Sequence, residues 1–310
     1  MSVLYVMSEL AGVGKTMVCA SLANNLKRDG YDVVVSKVHG DNAGDMQAYE
    51  EKFSLEVREP KSESTEDLTG FINNFQNGDS IAVIEASSEI PAVEHMEFIS
   101  ELDVSVLIVT TADRTEQVIS LSKTLAEKLK GVIINSVPRY FGTQVSDVVM
   151  PMYKEAGITV LGTLPEERIL LSLSVEQIAD KLGGRFFSDY GNKGKLVENF
   201  MVGGFGMDPG QYSFSTRKNK AVIVRGDRPD VQMSALQTDM NAFIMTCGLE
   251  PIEYVQYESM EEQVPIIIVD TNTMDTMDAT SNLQPYAKFD HVDKLNCSSQ
   301  LVRDSLEIAL

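Results

Sequence analysis

A strand that runs into a glycine loop and a Lys-Thr pair leaves a chain few ways to fold. Val3-Leu4-Tyr5-Val6-Met7 is a short apolar run; Ser8-Glu9-Leu10-Ala11-Gly12-Val13-Gly14-Lys15-Thr16 follows, and a helical pattern opens at Met17-Val18-Cys19-Ala20-Ser21-Leu22. Strand, loop, Lys-Thr and helix is the order of a phosphate-binding loop. Gly12 and Gly14 let backbone approach phosphate oxygens, and the N–H groups opening the helix point at them. Lys15 bridges outer phosphates as a point charge, while the Thr16 hydroxyl is placed to ligate Mg2+. The pattern departs once: the usual first glycine of G-x-x-x-x-G-K-T falls at Glu9, an acid beside a polyanion. The alternative is a chance Gly-Lys-Thr, or a loop that has lost its nucleotide. Its position directly after a strand favours a nucleoside triphosphate site, contacted by Gly12, Val13, Gly14, Lys15, Thr16 and Met17.

The rest of the first half alternates apolar strand runs with helical patterns. Strands are expected at 31–38, 80–85, 104–109, 132–135 and 158–162, and helices at 46–53, 68–75, 116–129 and 143–156. Residues 56–66 are polar, without period, and read as surface loop. Such alternation specifies a doubly wound parallel α/β sheet with helices on both faces. In such sheets ligands gather at the carboxyl ends of strands. Lys37 and Glu85 close the second and third strands there. A terminal acid after four apolar residues is how phosphate-loop proteins present a carboxylate to a metal; the alternative is a solvated strand end.

The pattern breaks at Gly183-Gly184, and Ser188 to Gly194 reads as a linker. A second, smaller α/β series follows, with strands at 221–224, 242–245 and 265–269 and a last helix from about His291 to Ile308. The expected division is therefore 1–188 and 189–310. Asp227 and Arg228 directly follow a strand, where a ligand would bind. Arg228 can meet an anion with Asp227 orienting it; equally, the pair can be a structural salt bridge or a dimer contact.

Composition bounds the partners. The 310 residues carry a net charge of −20, so nucleic acid and anionic membrane surfaces are repelled. No apolar run reaches the roughly 18 residues of a membrane span. The start at Met1-Ser2-Val3 runs straight into a strand, which argues against a leader peptide. Cys19, Cys247 and Cys297 are scattered and read as thiols of a reducing cytoplasm. His39, His95 and His291 are equally scattered; only His39, near Lys37, is a candidate for phosphate contact.

Residues 1 to about 187 resemble the dethiobiotin synthetase-like branch of P-loop ATPases, which includes cobyrinic acid amide synthases. Residues from about 195 to 295 resemble the DRTGG domain, its motif written here Gly226-Asp227-Arg228-Pro229-Asp230-Val231. Lys195 to Gly204, Cys247 to Pro251 and Val264 to Val269 fit the rest of that domain. The pairing is similar to the N-terminal region of long phosphotransacetylases and to stand-alone phosphotransacetylase-like proteins. The resemblance implies ATP and Mg2+ as cofactors, with Thr16, Asp45 and Glu85 as metal ligands and Asn135 reading adenine. It implies Lys15 and Lys37 as catalytic residues stabilising a transferring phosphoryl group. Where the synthetase has a glycine-rich loop after its acid, this chain has Ala86-Ser87-Ser88-Glu89, which argues against biotin synthesis. The chain ends soon after the DRTGG-like region, so acetyl transfer is not expected of it alone.

Two functions stand open on this reading. One is a Mg-dependent ATP-binding protein that phosphorylates or ligates a small carboxylate, its second domain sensing or docking a small-molecule ligand. The other is a non-catalytic regulatory module that reports bound nucleotide to a metabolic partner enzyme. A homodimer is expected from the apolar stretches Val148 to Tyr153 and Ile169 to Leu173, which exceed one helix face; the alternative is a tight contact between domains of one chain that hides them.

Overall fold

The structure, a computed structural model, describes residues 3–38, 43–60, 65–76, 80–87, 92–100, 102–188, 190–204 and 210–307. It contains two compact units, Met1–Glu167 together with Phe289–Leu310, and Arg168–Lys288.

The first unit begins with β1 (Val3–Met7), whose five residues are all buried, followed by α1 (Lys15–Arg28) and β2 (Val33–Val38). Next come α2 (Ala43–Gln47), which continues as a π-helical turn over Ala48–Lys52, β3 (Glu56–Val57), α3 (Thr65–Gln76) and β4 (Ile81–Ala86). The chain proceeds through α4 (Ala92–Ile99), β5 (Ser105–Thr110), α5 (Thr115–Leu125) and β6 (Leu129–Val137). A helical stretch then runs from α6 (Gly142–Gln144) through a π turn to α7 (Met150–Glu155), and β7 (Val160–Pro165) closes the series.

The seven strands lie in the order β3-β2-β4-β1-β5-β6-β7, every pairing parallel. This is the expected doubly wound sheet. The alternation of strand side chains explains the two cores. Leu4, Val6, Val33, Val35 and Val83 pack with α1 on one face. Val3, Tyr5, Met7, Val34 and Ile84 pack with α3 and α5 on the other. Because β1 lies between β4 and β5, its carboxyl end sits in mid-sheet, where the topology reverses and ligands bind. The loop after β1 is the phosphate-binding candidate.

The second unit holds β8 (Leu173–Ser174), α8 (Val175–Lys181), β9 (Arg185–Phe186), β10 (Leu196–Val197), β11 (Asn199–Val202) and α9 (Gly210–Phe214). It continues with β12 (Lys220–Arg225), α10 (Pro229–Leu236), β13 (Ala242–Thr246), α11 (Glu253–Glu261), β14 (Ile266–Ile268) and α12 (Thr273–Ser281). Its sheet is β11-β12-β13-β14-β9, parallel except for the last pairing, and β8 pairs antiparallel with β10.

The last helix, α13 (Val292–Ser305), returns to the first unit. Leu295 and Val302 join the core that α1 covers, Ser21 Oγ donates to Ser298 Oγ at 2.7 Å, and Asn25 Nδ2 donates to the Ser299 carbonyl at 2.8 Å. The units therefore divide elsewhere than at 188. Residues 168–188 belong to the second unit because Val175, Ile178 and Ala179 fill one face of its sheet. Residues 289–310 belong to the first because α13 lies on α1. Residues 56–57, expected as loop, form an edge strand too short to show a period.

Candidate functional site

Gly14 caps α1 in the left-handed region, φ 93°, and no side chain caps the helix start. Its first N–H groups are thus available to an anion. A Cβ at Gly14 would stand 2.2 Å from Asn135 Nδ2, so a side chain there would have to displace that amide as well as adopt a strained φ. Asn135, near the end of β6 and 5% exposed, donates through Nδ2 to the Val13 carbonyl at 2.8 Å. The amide sets the shape of the phosphate loop.

Lys15 is buried and donates to Ser8 Oγ at 2.7 Å, its side chain folded back along the loop. Burial lowers its pKa, an effect opposed by Glu85. Glu9, at the position of the missing glycine, accepts from Thr110 Oγ1 at 2.8 Å, so its carboxylate is anchored to the end of β5. Gly12 is also left-handed, φ 76°, with open space where a side chain would lie, and Met17 is buried in the core beneath the loop.

The acid at the end of β4 is the centre of the site. Glu85 is 2% exposed, and both its oxygens are held: Thr16 Oγ1 donates to Oε1 at 2.8 Å and the Tyr49 hydroxyl donates to Oε2 at 2.5 Å. Lys37 Nζ stands 3.5 Å from Glu85 Oε1 and forms an ion pair with Asp45 of α2. Thr16, Glu85, Lys37 and Asp45 are one connected chain of polar contacts. Burial pushes the Glu85 carboxyl up, against the opposing pull of Lys37 and Tyr49. For Lys37 burial works downward, but Glu85 and Asp45 outweigh it and the ammonium is held above its usual range. Glu85 thus holds the Lys37 ammonium up, while Lys37 offsets only part of the burial penalty on the Glu85 carboxylate.

Tyr49 was not legible as a site residue. It sits in the π turn, is fully buried, and its ring belongs to the core while its hydroxyl reaches the carboxylate. Single-turn π segments recur at functional sites for this reason: they re-aim a side chain. The other polar candidates divide. His95 is structural, bonded to the Tyr5 hydroxyl at 2.8 Å and the Ser87 carbonyl at 2.9 Å. His39, Ser88 and Glu89 lie outside the described residues.

In the second unit, Asp227 and Arg228 do follow β12, but their partners differ from the expected pairing. Arg225 donates through Nε and Nη2 to Asp227, at 2.9 and 2.7 Å, and Arg228 donates likewise to Asp230, at 2.9 and 2.8 Å. Planar guanidinium groups favour such bidentate pairs two residues away. Hydrogen bonding from Arg225 holds the Asp227 carboxyl below its usual range. Asp227 is oriented by Arg225 rather than orienting Arg228. These residues belong to the second unit.

No helix among the described residues is long and apolar enough to cross a membrane. None of the described His, Cys, Asp and Glu residues forms a cluster of three with metal-holding geometry.

Residues 177–283 match the DRTGG domain. A phosphate acetyltransferase of Synechocystis sp. is 24% identical over 164 residues, which are 50% of this chain and 23% of that protein. The chain thus spans about a quarter of that relative's length. Among solved structures, the MinC:MinD cell division complex of Aquifex aeolicus aligns with TM-score 0.44 and 18% identity, over 55% of this chain and 84% of that one. The cell division protein FtsY of Thermotoga maritima aligns with TM-score 0.41 and 17% identity, over 54% of this chain and 62% of that one. Residues 4–177, more than half of the chain, match the CobQ/CobB/MinD/ParA nucleotide binding domain, and the chain belongs to that family, here joined to a DRTGG domain.

Proposed function

We propose that the first unit binds ATP with Mg2+ at the carboxyl end of β1 and β4. The observation that carries this reading is the connected set Thr16–Glu85–Lys37–Asp45 beside an uncapped helix start. The residues fit a hard divalent ion. Thr16 gives its proton to Glu85, so its oxygen lone pairs are free to face a cation, and Asp45 and Glu85 supply further oxygens. Mg2+, if held by Thr16, Asp45 and Glu85, would supply positive charge to offset that of the phosphates. Lys15 would leave Ser8 for the outer phosphates, and Lys37 would release Asp45 to face the same charge. Asn135, held against Val13, would read the adenine on this reading.

On this reading Lys15 and Lys37 are the residues that would favour phosphoryl transfer to a carboxylate. The dethiobiotin synthetase-like assignment and a small-carboxylate acceptor rest on the family pattern together with these two lysines. A regulatory reading is favoured by one feature, Glu9, which fixes a negative charge on the phosphate loop itself. The segmental likeness to a phosphate acetyltransferase supports a module that acts on a metabolic enzyme. A cytoplasmic homodimer completes the proposal.

Calorimetric titration with ATP-Mg tests the first claim: Lys15→Ala is expected to weaken binding at least about tenfold, or 1.4 kcal/mol. Unchanged affinity overturns the site. ADP release with ATP-Mg and added carboxylates then separates enzyme from regulator, since the regulator binds without turnover.

A further inference from the structure

The second unit carries a charge asymmetry unrelated to the nucleotide site. From Pro229 to Ala287, 59 consecutive residues include ten Asp or Glu and not one Lys, Arg or His. Helix α11 lies in the middle of this stretch. Val255 and Ser259 face inward, while Tyr254, Tyr257 and Met260 are 53%, 59% and 41% exposed. At 3.6 residues per turn these three fall within an arc of about 120°, and Glu253 and Glu261 project from the same arc. Glu250, just before the helix, is already paired with Arg185 at 2.7 Å, so the carboxylates facing outward here are those of α11.

Single exposed apolar residues need no explanation, but two tyrosines and a methionine along one helix face, interleaved with acids, form a patch. We infer that this face of α11 docks an arginine-rich segment of a partner protein. Each tyrosine ring offers a π face on which a guanidinium stacks, and the neighbouring carboxylates accept its N–H groups. Arginine suits the surface better than lysine, whose compact, strongly hydrated ammonium lacks the planar face. A second copy of this chain is disfavoured, because a two-fold contact would set these acids against themselves. Polyanions are repelled for the same reason.

Fluorescence anisotropy with a dye-labelled Arg-Ser repeat peptide at about 0.15 M salt, where charges beyond about 8 Å are screened, tests the proposal. Lys-Ser and Glu-Ser repeats serve as companions. The Arg peptide is expected to bind, the Lys peptide more weakly and the Glu peptide not at all. Replacing both rings, Tyr254→Ser with Tyr257→Ser, is expected to weaken the Arg peptide about tenfold, since each exposed stack is modest. Glu127→Gln with Glu155→Gln, which removes two exposed charges from the first unit, is expected to change nothing. Equal binding by the ring-less variant, equal losses in both double variants, or failure of the Arg peptide to bind overturns the proposal. So does self-association by light scattering that the ring-less variant abolishes, which would give the face to a second copy.

Discussion

Thr16 and Glu85, 69 positions apart in sequence, meet through a 2.8 Å hydrogen bond between the helix that opens on the phosphate loop and the end of β4. The bond couples the first turn of α1 to a carboxylate that is otherwise enclosed. Glu85's other oxygen depends on Tyr49, and that dependence is measurable.

Tyr49→Phe removes one hydroxyl and leaves Glu85 Oε2 buried without its donor. The cost of an unsatisfied buried acceptor is about 1–3 kcal/mol, read as a lower urea midpoint with unchanged slope. If Tyr49 also positions the acid for a metal, ATP affinity should fall more with Mg2+ present than with EDTA. Equal loss in both conditions would make the tyrosine purely structural.

The two loop glycines should respond differently to a methyl group. At Gly12, φ is 76° but the space is open, so Gly12→Ala costs only the left-handed conformation, about 1–2 kcal/mol. At Gly14 the same conformational cost is joined by a collision with Asn135. Gly14→Ala is therefore expected to lose more stability and to abolish nucleotide binding. Thermal melts of the two variants check this ordering.

Lys294 on α13 is buried, and burial lowers its ammonium pKa to about 8. The unfolded chain keeps a lysine near 10.4. Below pH 8 both states are protonated and the full penalty is present. Between about 8 and 10.4 the unfolded state holds more protons than the folded one, so this group's contribution to stability improves as pH rises. Lys294→Met has no such term: it should exceed the wild type in stability at pH 7, and the gap should narrow toward pH 10. A gap that stays constant with pH would refute the burial effect.

Val148 and Met150 are 51% and 36% exposed, while Val145, Val149 and Tyr153 face inward. If this apolar strip is the contact of a homodimer, light scattering should give twice 34.2 kDa, more firmly at high salt, where mutual repulsion of the negative surfaces is screened. Asp replacements at Val148 and Met150 should return the mass to a monomer's.

Much of this was written locally. The strand before the glycine loop, Lys37 and Glu85 are legible because they close continuous apolar runs, and strand ends in a parallel sheet converge by topology. Tyr49 is different: in an amphipathic pattern its ring counts as core, and nothing along the chain tells where the hydroxyl points. The pairing of Asp227 depended on side-chain geometry within one turn, where Arg225 stands two positions before it and Arg228 directly after. Helix α13 shows its apolar face in the sequence, but periodicity does not say which sheet that face will meet.

That return of α13 has a consequence for biosynthesis. The first unit's last strand leaves the ribosome at Pro165, yet the helix that covers Leu4, Leu22 and Leu26 beside α1 begins only at Val292. Synthesis at about 5–20 residues per second puts that helix many seconds behind its partners. Until then the sheet carries an uncovered apolar flank. A nascent chain stalled within the second unit would expose that flank to chaperones and proteases, so stall position should govern its survival.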